Sequence, residues 1–172
     1  MNDRCTDRIE IVPHAPAGII SLRPLPPHEA FREAVRAAYG VELPDHLAVV
    51  GDESMHVCGI RPTEWWLVLE DLPNRCSIPP GERSLGEAGI AIDLSDAAVR
   101  YSVSGPATFD FVTAGCALDV QSGALRPGRC ARTRFAHVPV VLVGTHQGID
   151  LYVGRSYRDY FETWVDSVMA AM

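Results

Sequence analysis

Cys130-Ala131-Arg132-Thr133-Arg134-Phe135-Ala136, Val138-Pro139-Val140-Val141-Leu142-Val143 and Ile149-Asp150-Leu151-Tyr152-Val153 follow one another closely along the chain. Each is strand-sized and rich in β-branched or aromatic residues. The last two are joined by Gly144-Thr145-His146-Gln147-Gly148, a hairpin-length loop with no room for a helical crossover. Three strands running in succession predict antiparallel pairing. The residues after them change period. Tyr157, Tyr160, Phe161, Trp164, Val165 and Val168 repeat at spacings of 3, 1, 3, 1 and 3, the stripe of one amphipathic helix. Ser156 is placed to cap it, with Asp159 three residues on. If Trp164 is fully buried in that stripe, its truncation to alanine costs about 3–5 kcal/mol.

Working upstream, Ile90–Leu94 and Ala98–Val103 read as strands. Pro106 opens a short helix that closes near Gly115, with Phe109, Phe111 and Val112 as its apolar face. Residues 119–128 form a loop around Gly123 and Pro127-Gly128. In the first half, a helix is expected from His28 to Tyr39. Pro27 stands at its start, Gly40 stops it, and Phe31, Ala34, Val35 and Ala38 share one face. Strands follow at His46–Val50, Met55–Ile60 and Trp65–Leu69, the first pair joined by Gly51–Ser54 and the second by Arg61–Glu64. Residues 72–89 are loop-rich, with a short helix near Glu82–Ala88. The opening 26 residues hold Pro13, Pro16, Pro24 and Pro26, which predicts an extended surface segment contributing one edge strand around Ile19–Leu22.

Strands and helices therefore mix without a regular βαβ alternation, and the fold class is α+β with mostly antiparallel sheet and a few packed helices. Residues 1–26 are read as an extended N-terminal segment and residues 27–172 as a single α+β domain, divisible into sub-lobes 27–90 and 91–172. No internal repeat or low-complexity tract is evident.

The net charge of −7 argues against nucleic acid as a partner, because binding phosphates needs a concentrated field of cations. The arginines read as scattered, leaving room only for a local basic patch toward a small anionic ligand. The longest apolar run, Val138–Val143, is strand-sized and contains Pro139, so no membrane span is expected. Met1–Cys5 lacks the apolar segment of a secretory signal, and a cytoplasmic location is expected. Cys5, Cys58, Cys76, Cys116 and Cys130 are widely spaced and odd in number, which fits reduced, mostly buried thiols.

Chemistry-bearing motifs are sparse. His56 and Cys58 share a strand face, but zinc usually takes two such pairs and no second pair exists. Gly154-Arg155-Ser156-Tyr157-Arg158 lacks the closing glycine of a nucleophile elbow. Cys116 follows a helix C-terminus, where the dipole disfavours a thiolate. Neither Gly-rich phosphate cradle occurs. Asp93 and Asp96 flank a strand end and read as solvated turn residues rather than an acid and base. No catalytic, cofactor-binding or metal-binding residue is assigned. A chain with a sound core and no reactive cluster points to partner binding.

Three blocks carry a family resemblance. They are Ser104-Gly105-Pro106-Ala107 leading to Gly115-Cys116-Ala117-Leu118-Asp119, then Pro127-Gly128-Arg129-Cys130-Ala131-Arg132-Thr133 before the Val138–Leu142 strand, and Ile149–Val153 running into Arg155-Ser156-Tyr157 and the aromatic helix. With Arg61-Pro62-Thr63-Glu64-Trp65-Trp66-Leu67-Val68 upstream, their order and spacing resemble the gamma subunit of heterotetrameric sarcosine oxidase over about residues 60–170. The resemblance implies a fold like that of the folate-binding aminomethyltransferases and assembly with alpha, beta and delta subunits. It implies a non-catalytic role in stabilising a complex that demethylates sarcosine to glycine and passes the one-carbon unit to tetrahydrofolate. FAD, FMN, NAD, tetrahydrofolate and zinc would then sit in the partner subunits, with none bound by this chain. The first 45 residues show no specific match, and the Trp65-Trp66 pair departs from the family's pattern. A related oxidase acting on another N-methyl amine such as dimethylglycine, or an independent folate-binding protein, stays open, since fold kinship does not set a substrate.

Overall fold

A computed structural model describes residues 4–6, 8–14, 18–52, 54–69 and 85–171. The chain forms two compact units, one of Met1–Pro16 with Asp96–Met172 and the other of Ala17–Ser95. Each is an antiparallel sheet with helices on one face, as the α+β reading expects.

The first unit is built on six strands: β1 (Arg4–Thr6), β2 (Ile9–Pro13), β8 (Ala98–Ser104), β9 (Cys130–Phe135), β10 (Val138–Gly144) and β11 (Gly148–Gly154). Their order across the sheet is β1-β2-β8-β11-β10-β9, so the stretch Cys130–Val153 forms the meander that its turns dictate. Helices α2 (Thr108–Gly115) and α3 (Arg158–Met169) cover one face through Phe111, Val112, Phe161 and Val165. The rings of Phe111, Phe135, Phe161 and Trp164 meet there, Phe135 lying edge-on to Trp164 at 5.2 Å between centroids.

The second unit orders its strands as β4 (Val49–Gly51), β5 (Met55–Arg61), β6 (Glu64–Leu69), β3 (Gly18–Pro24) and β7 (Gly89–Asp93). Helix α1 (Phe31–Tyr39) follows a 3₁₀ turn at His28–Ala30 and buries Phe31, Val35 and Tyr39 against Ile20, Leu22 and Leu67. Gly40 ends it at φ 69°, a left-handed conformation that glycine adopts without a Cβ penalty. Trp65 stacks obliquely on Phe31 and donates its indole N–H to the Pro44 carbonyl at 2.8 Å.

Several expectations need correction. The N-terminal segment is not a surface run with one edge strand. It supplies β1, β2 and β3, and β2 and β3 are both interior strands. Its prolines permit this because Pro13 and Pro24 are the last residues of their strands, where a missing N–H costs little. The strand expected at His46–Val50 begins only at Val49. Leu47 turns through φ 64° and its N–H reaches the Gly59 carbonyl, which ends the extended run before it starts. Of the helix expected at Glu82–Ala88, the described part is a single 3₁₀ turn at Gly86–Ala88, and residues 70–84 lie outside the described residues. The 119–128 loop holds a 3₁₀ turn, Val120–Ser122, capped by the Asp119 carboxylate.

The helix faces are also narrower than the apolar periodicity suggests. Phe109 is 54% exposed, and α2 buries Thr108, Phe111 and Val112 instead. Ser156 does not cap α3. It lies inside a 3₁₀ turn, Arg155–Tyr157, that leads straight from β11 into the helix, so Tyr157 and Tyr160 point outward. Trp164 is half-buried, packed against Phe111, Phe135 and Phe161. The expected cost of Trp164→Ala, read by urea unfolding, therefore falls to the lower end, about 3 kcal/mol.

Candidate functional site

His56 and Cys58 do share a face of β5, both buried, and their cross-strand neighbours on β6 are Val68 and Trp66. Among the described residues, no group of three or more His, Cys, Asp or Glu side chains is placed to hold a metal ion. Cys58, Cys116 and Cys130 stand outside any disulfide, Cys58 and Cys130 buried and Cys116 half-buried just past the end of α2. Asp93 and Asp96 are exposed and occupied locally. Asp93 accepts hydrogen bonds from the Ser95 N–H and hydroxyl, and Asp96 pairs with Arg155.

The charged side chains of interest are ones that sequence reading passed over. Glu64 is 4% exposed at the start of β6, a strand that is otherwise apolar. The β5–β6 hairpin sets Arg61 opposite it, and the β3–β6 pairing brings up Ser21 and Arg23 from the neighbouring strand. Its carboxylate accepts from Arg23 at 2.7 Å and from the Ser21 hydroxyl at 3.1 Å, with Arg61 at 3.5 Å. Burial pushes this carboxyl up, but the Arg23 hydrogen bond and charge, Ser21 and Arg61 together outweigh it and hold it below the ordinary glutamate range. A group depressed in the folded state stabilises above its unfolded pKa, and that stability fades as pH falls through the folded value. Arg23→Met should therefore cost about 1.5–3 kcal/mol at neutral pH, the worth of a hydrogen bond to a charged group. The gap from wild type should close as pH drops below about 4.3, where glutamate protonates in the unfolded chain. Urea unfolding at pH 7 and pH 3.5 reads both.

A second cluster lies on the six-stranded sheet, where Asp150 of β11 is 4% exposed. The β8–β11 register brings Arg100 within 3.0 Å of it. His14, just beyond β2, meets the Ser102 hydroxyl at 2.7 Å. Here burial dominates the attraction of Arg100 and His14, and the Asp150 carboxyl is pushed above its ordinary value. On α3, Glu162 accepts from the Tyr101 hydroxyl at 2.9 Å and from Arg158 at 3.0 Å. In all three clusters the carboxylates face cations and hydroxyls of their own unit. These bonds tie neighbouring strands and helices of one unit together, as a scaffold needs.

Sequence offered one hint of this. An acid inside an apolar strand, as in Ile149-Asp150-Leu151-Tyr152-Val153, is costly unless paired. Its partner Arg100 lies 50 positions away in sequence, and only the register of β8 on β11 reveals it.

Kinship decides the reading. The model of the sarcosine oxidase gamma subunit family matches residues 26–171. This chain belongs to that family. Among solved structures, a chain of the heterotetrameric sarcosine oxidase from Corynebacterium sp. U-96, in complex with pyrrole 2-carboxylate, superposes with a TM-score of 0.83 at 25% identity. The match covers 98% of this chain and 88% of that one. No curated protein sequence matches. The family match begins well upstream of residue 60, so it takes in α1 and the whole β4–β6 meander, beyond the blocks that first suggested it. No described helix of this family member is long and apolar enough to cross a membrane.

Proposed function

We propose that this chain serves as the gamma-type, non-catalytic subunit of a heteromeric sarcosine oxidase, assembling with alpha, beta and delta chains. The observation that carries the reading is the family match over residues 26–171, supported by likeness to a heterotetrameric sarcosine oxidase across nearly the full chain. The complex would convert sarcosine to glycine by oxidative demethylation, delivering the one-carbon unit to tetrahydrofolate. FAD, FMN, NAD, tetrahydrofolate and zinc are assigned to the partner subunits.

The physical role of the chain under this reading is to lend a rigid surface. Its two sheets supply tightly paired backbone, and side chains such as Phe109, Tyr157, Tyr160, Ile90 and Ile92 leave apolar surface exposed, the kind of surface that a permanent partner covers.

Omission tests the role. The remaining subunits of the oxidase are expressed with and without this chain, and flavoprotein yield and sarcosine turnover are measured. The reading predicts that omission lowers both. Equal yield and turnover without the chain would contradict it, as would sarcosine oxidation by the chain alone.

A further inference from the structure

The arginines, scattered along most of the chain, are grouped at one place. Residues 120–149 contain Arg126, Arg129, Arg132 and Arg134 and no aspartate or glutamate, in a protein whose net charge is −7. The fold gives the group a position. Arg126 and Arg129 lie in the turn that enters β9, where the Arg129 N–H bonds to the Arg126 carbonyl. On β9 itself, Arg132 and Arg134 alternate with Ala131 and Phe135, which point into the core. Arg126, Arg132 and Arg134 are exposed and Arg129 is half-buried. β9 is the terminal strand of its sheet, paired with β10 on one side and with no described strand on the other.

Arg8, Arg23, Arg32, Arg36, Arg61, Arg100, Arg155 and Arg158 behave differently from Arg126, Arg129 and Arg134. Arg8, Arg23, Arg36, Arg61, Arg100, Arg155 and Arg158 each pair with a carboxylate of their own unit. Arg32 binds the Leu43 carbonyl and lies over the Trp65 ring. Arg126, Arg129 and Arg134 make no ion pair among the described residues, although the chain carries more acids than bases. The guanidinium groups of Arg126, Arg129 and Arg134 carry like charge along one edge, and opposite charge brought by a partner is attracted to it.

We propose that the β9 edge, with Arg126, Arg129, Arg132 and Arg134, is a docking surface for an acidic face of a partner subunit of the oxidase. The inference rests on the subunit reading above and adds which surface is used and what chemistry meets it. Arginine suits the task because its planar fork binds carboxylates in two-pronged fashion and sheds water more readily than an ammonium. Charge on an edge strand also deters unwanted strand pairing, and the experiment separates that role from docking.

The wild-type chain and the double reversal Arg126→Glu/Arg134→Glu are each co-expressed with the large subunits of the sarcosine oxidase from the same genome, and binding is titrated at increasing salt. Wild type should assemble, with affinity that falls as salt rises. The double reversal should bind about tenfold or more weakly, with a shallower salt dependence. Its melting temperature alone should match wild type, since neither side chain has an ion-pair partner to lose among the described residues. If the reversal perturbs folding, the neutral pair Arg126→Gln/Arg134→Gln must show the same weakening in smaller degree. Equal affinity and equal salt dependence in wild type and variants would overturn the proposal while leaving the subunit reading intact, whether or not the variants aggregate. Stripe-dependent binding to duplex DNA, or stripe-dependent self-association, with subunit assembly unaltered, would likewise overturn it. Failure of the wild-type chain to assemble at all would remove the subunit reading and this inference together.

Discussion

Replacing Phe135 with alanine is expected to lower the unfolding free energy by about 3–5 kcal/mol, the largest loss of any single truncation considered. Phe135 is fully buried as the last residue of β9. Its ring lies 5.3 Å from Phe111, 6.0 Å from Phe161 and 5.2 Å from Trp164, so it touches both helices that cover the sheet. Edge-on and tilted aromatic pairs add to the area each ring buries. Removing the hub leaves a cavity that neither helix can close alone, because each is anchored by its own buried residues, Phe111 and Val112 on α2 and Phe161 and Val165 on α3. Set against a total stability of about 5–15 kcal/mol for a domain, this loss leaves little margin. Chemical denaturation with paired wild-type and variant chains measures it, and a change below about 1 kcal/mol would show that the aromatic packing described here is wrong.

Gly144→Ala is expected to cost about 3 kcal/mol or more by the opposite mechanism, overpacking. Gly144 ends β10, and its N–H bonds to the Arg129 carbonyl at 2.9 Å. A Cβ there would fall inside the van der Waals radii of the Leu125 and Arg126 carbonyl oxygens. Both obstacles are backbone, so no side-chain rotation relieves them. The 123–129 turn would have to move, and with it Leu125, which is buried in the core. A melting temperature within a degree or two of wild type would contradict this close approach.

The contrast between these two sites shows what the residues reveal unaided. The meander from Cys130 to Val153 was legible because its apolar runs match strand length and its Gly144–Gly148 loop permits only a hairpin. α1 was legible from its four-residue apolar face and the Gly40 stop. The close approach at Gly144 was not, because it depends on the loop at Leu125 and Arg126 folding back onto the strand end. Nor was the hub role of Phe135, which in sequence is simply the aromatic end of an arginine-rich strand. Proline density at residues 13–26 misled the reading of β2 and β3, since proline terminates a strand as readily as it prevents one. Apolar periodicity overstated the buried faces of α2 and α3, where Phe109, Tyr157 and Tyr160 remain outside. The ion pairs Glu64–Arg23 and Asp150–Arg100 were invisible for a simpler reason, since sheet register alone sets which charges meet.

Sizing the assembled complex tests the central claim most directly. Native mass measurement of the oxidase purified through a tag on this chain should return a single species containing the partner subunits and one copy of the tagged chain. Recovery of the chain by itself, with the other subunits complete and active in the unbound fraction, would contradict the account.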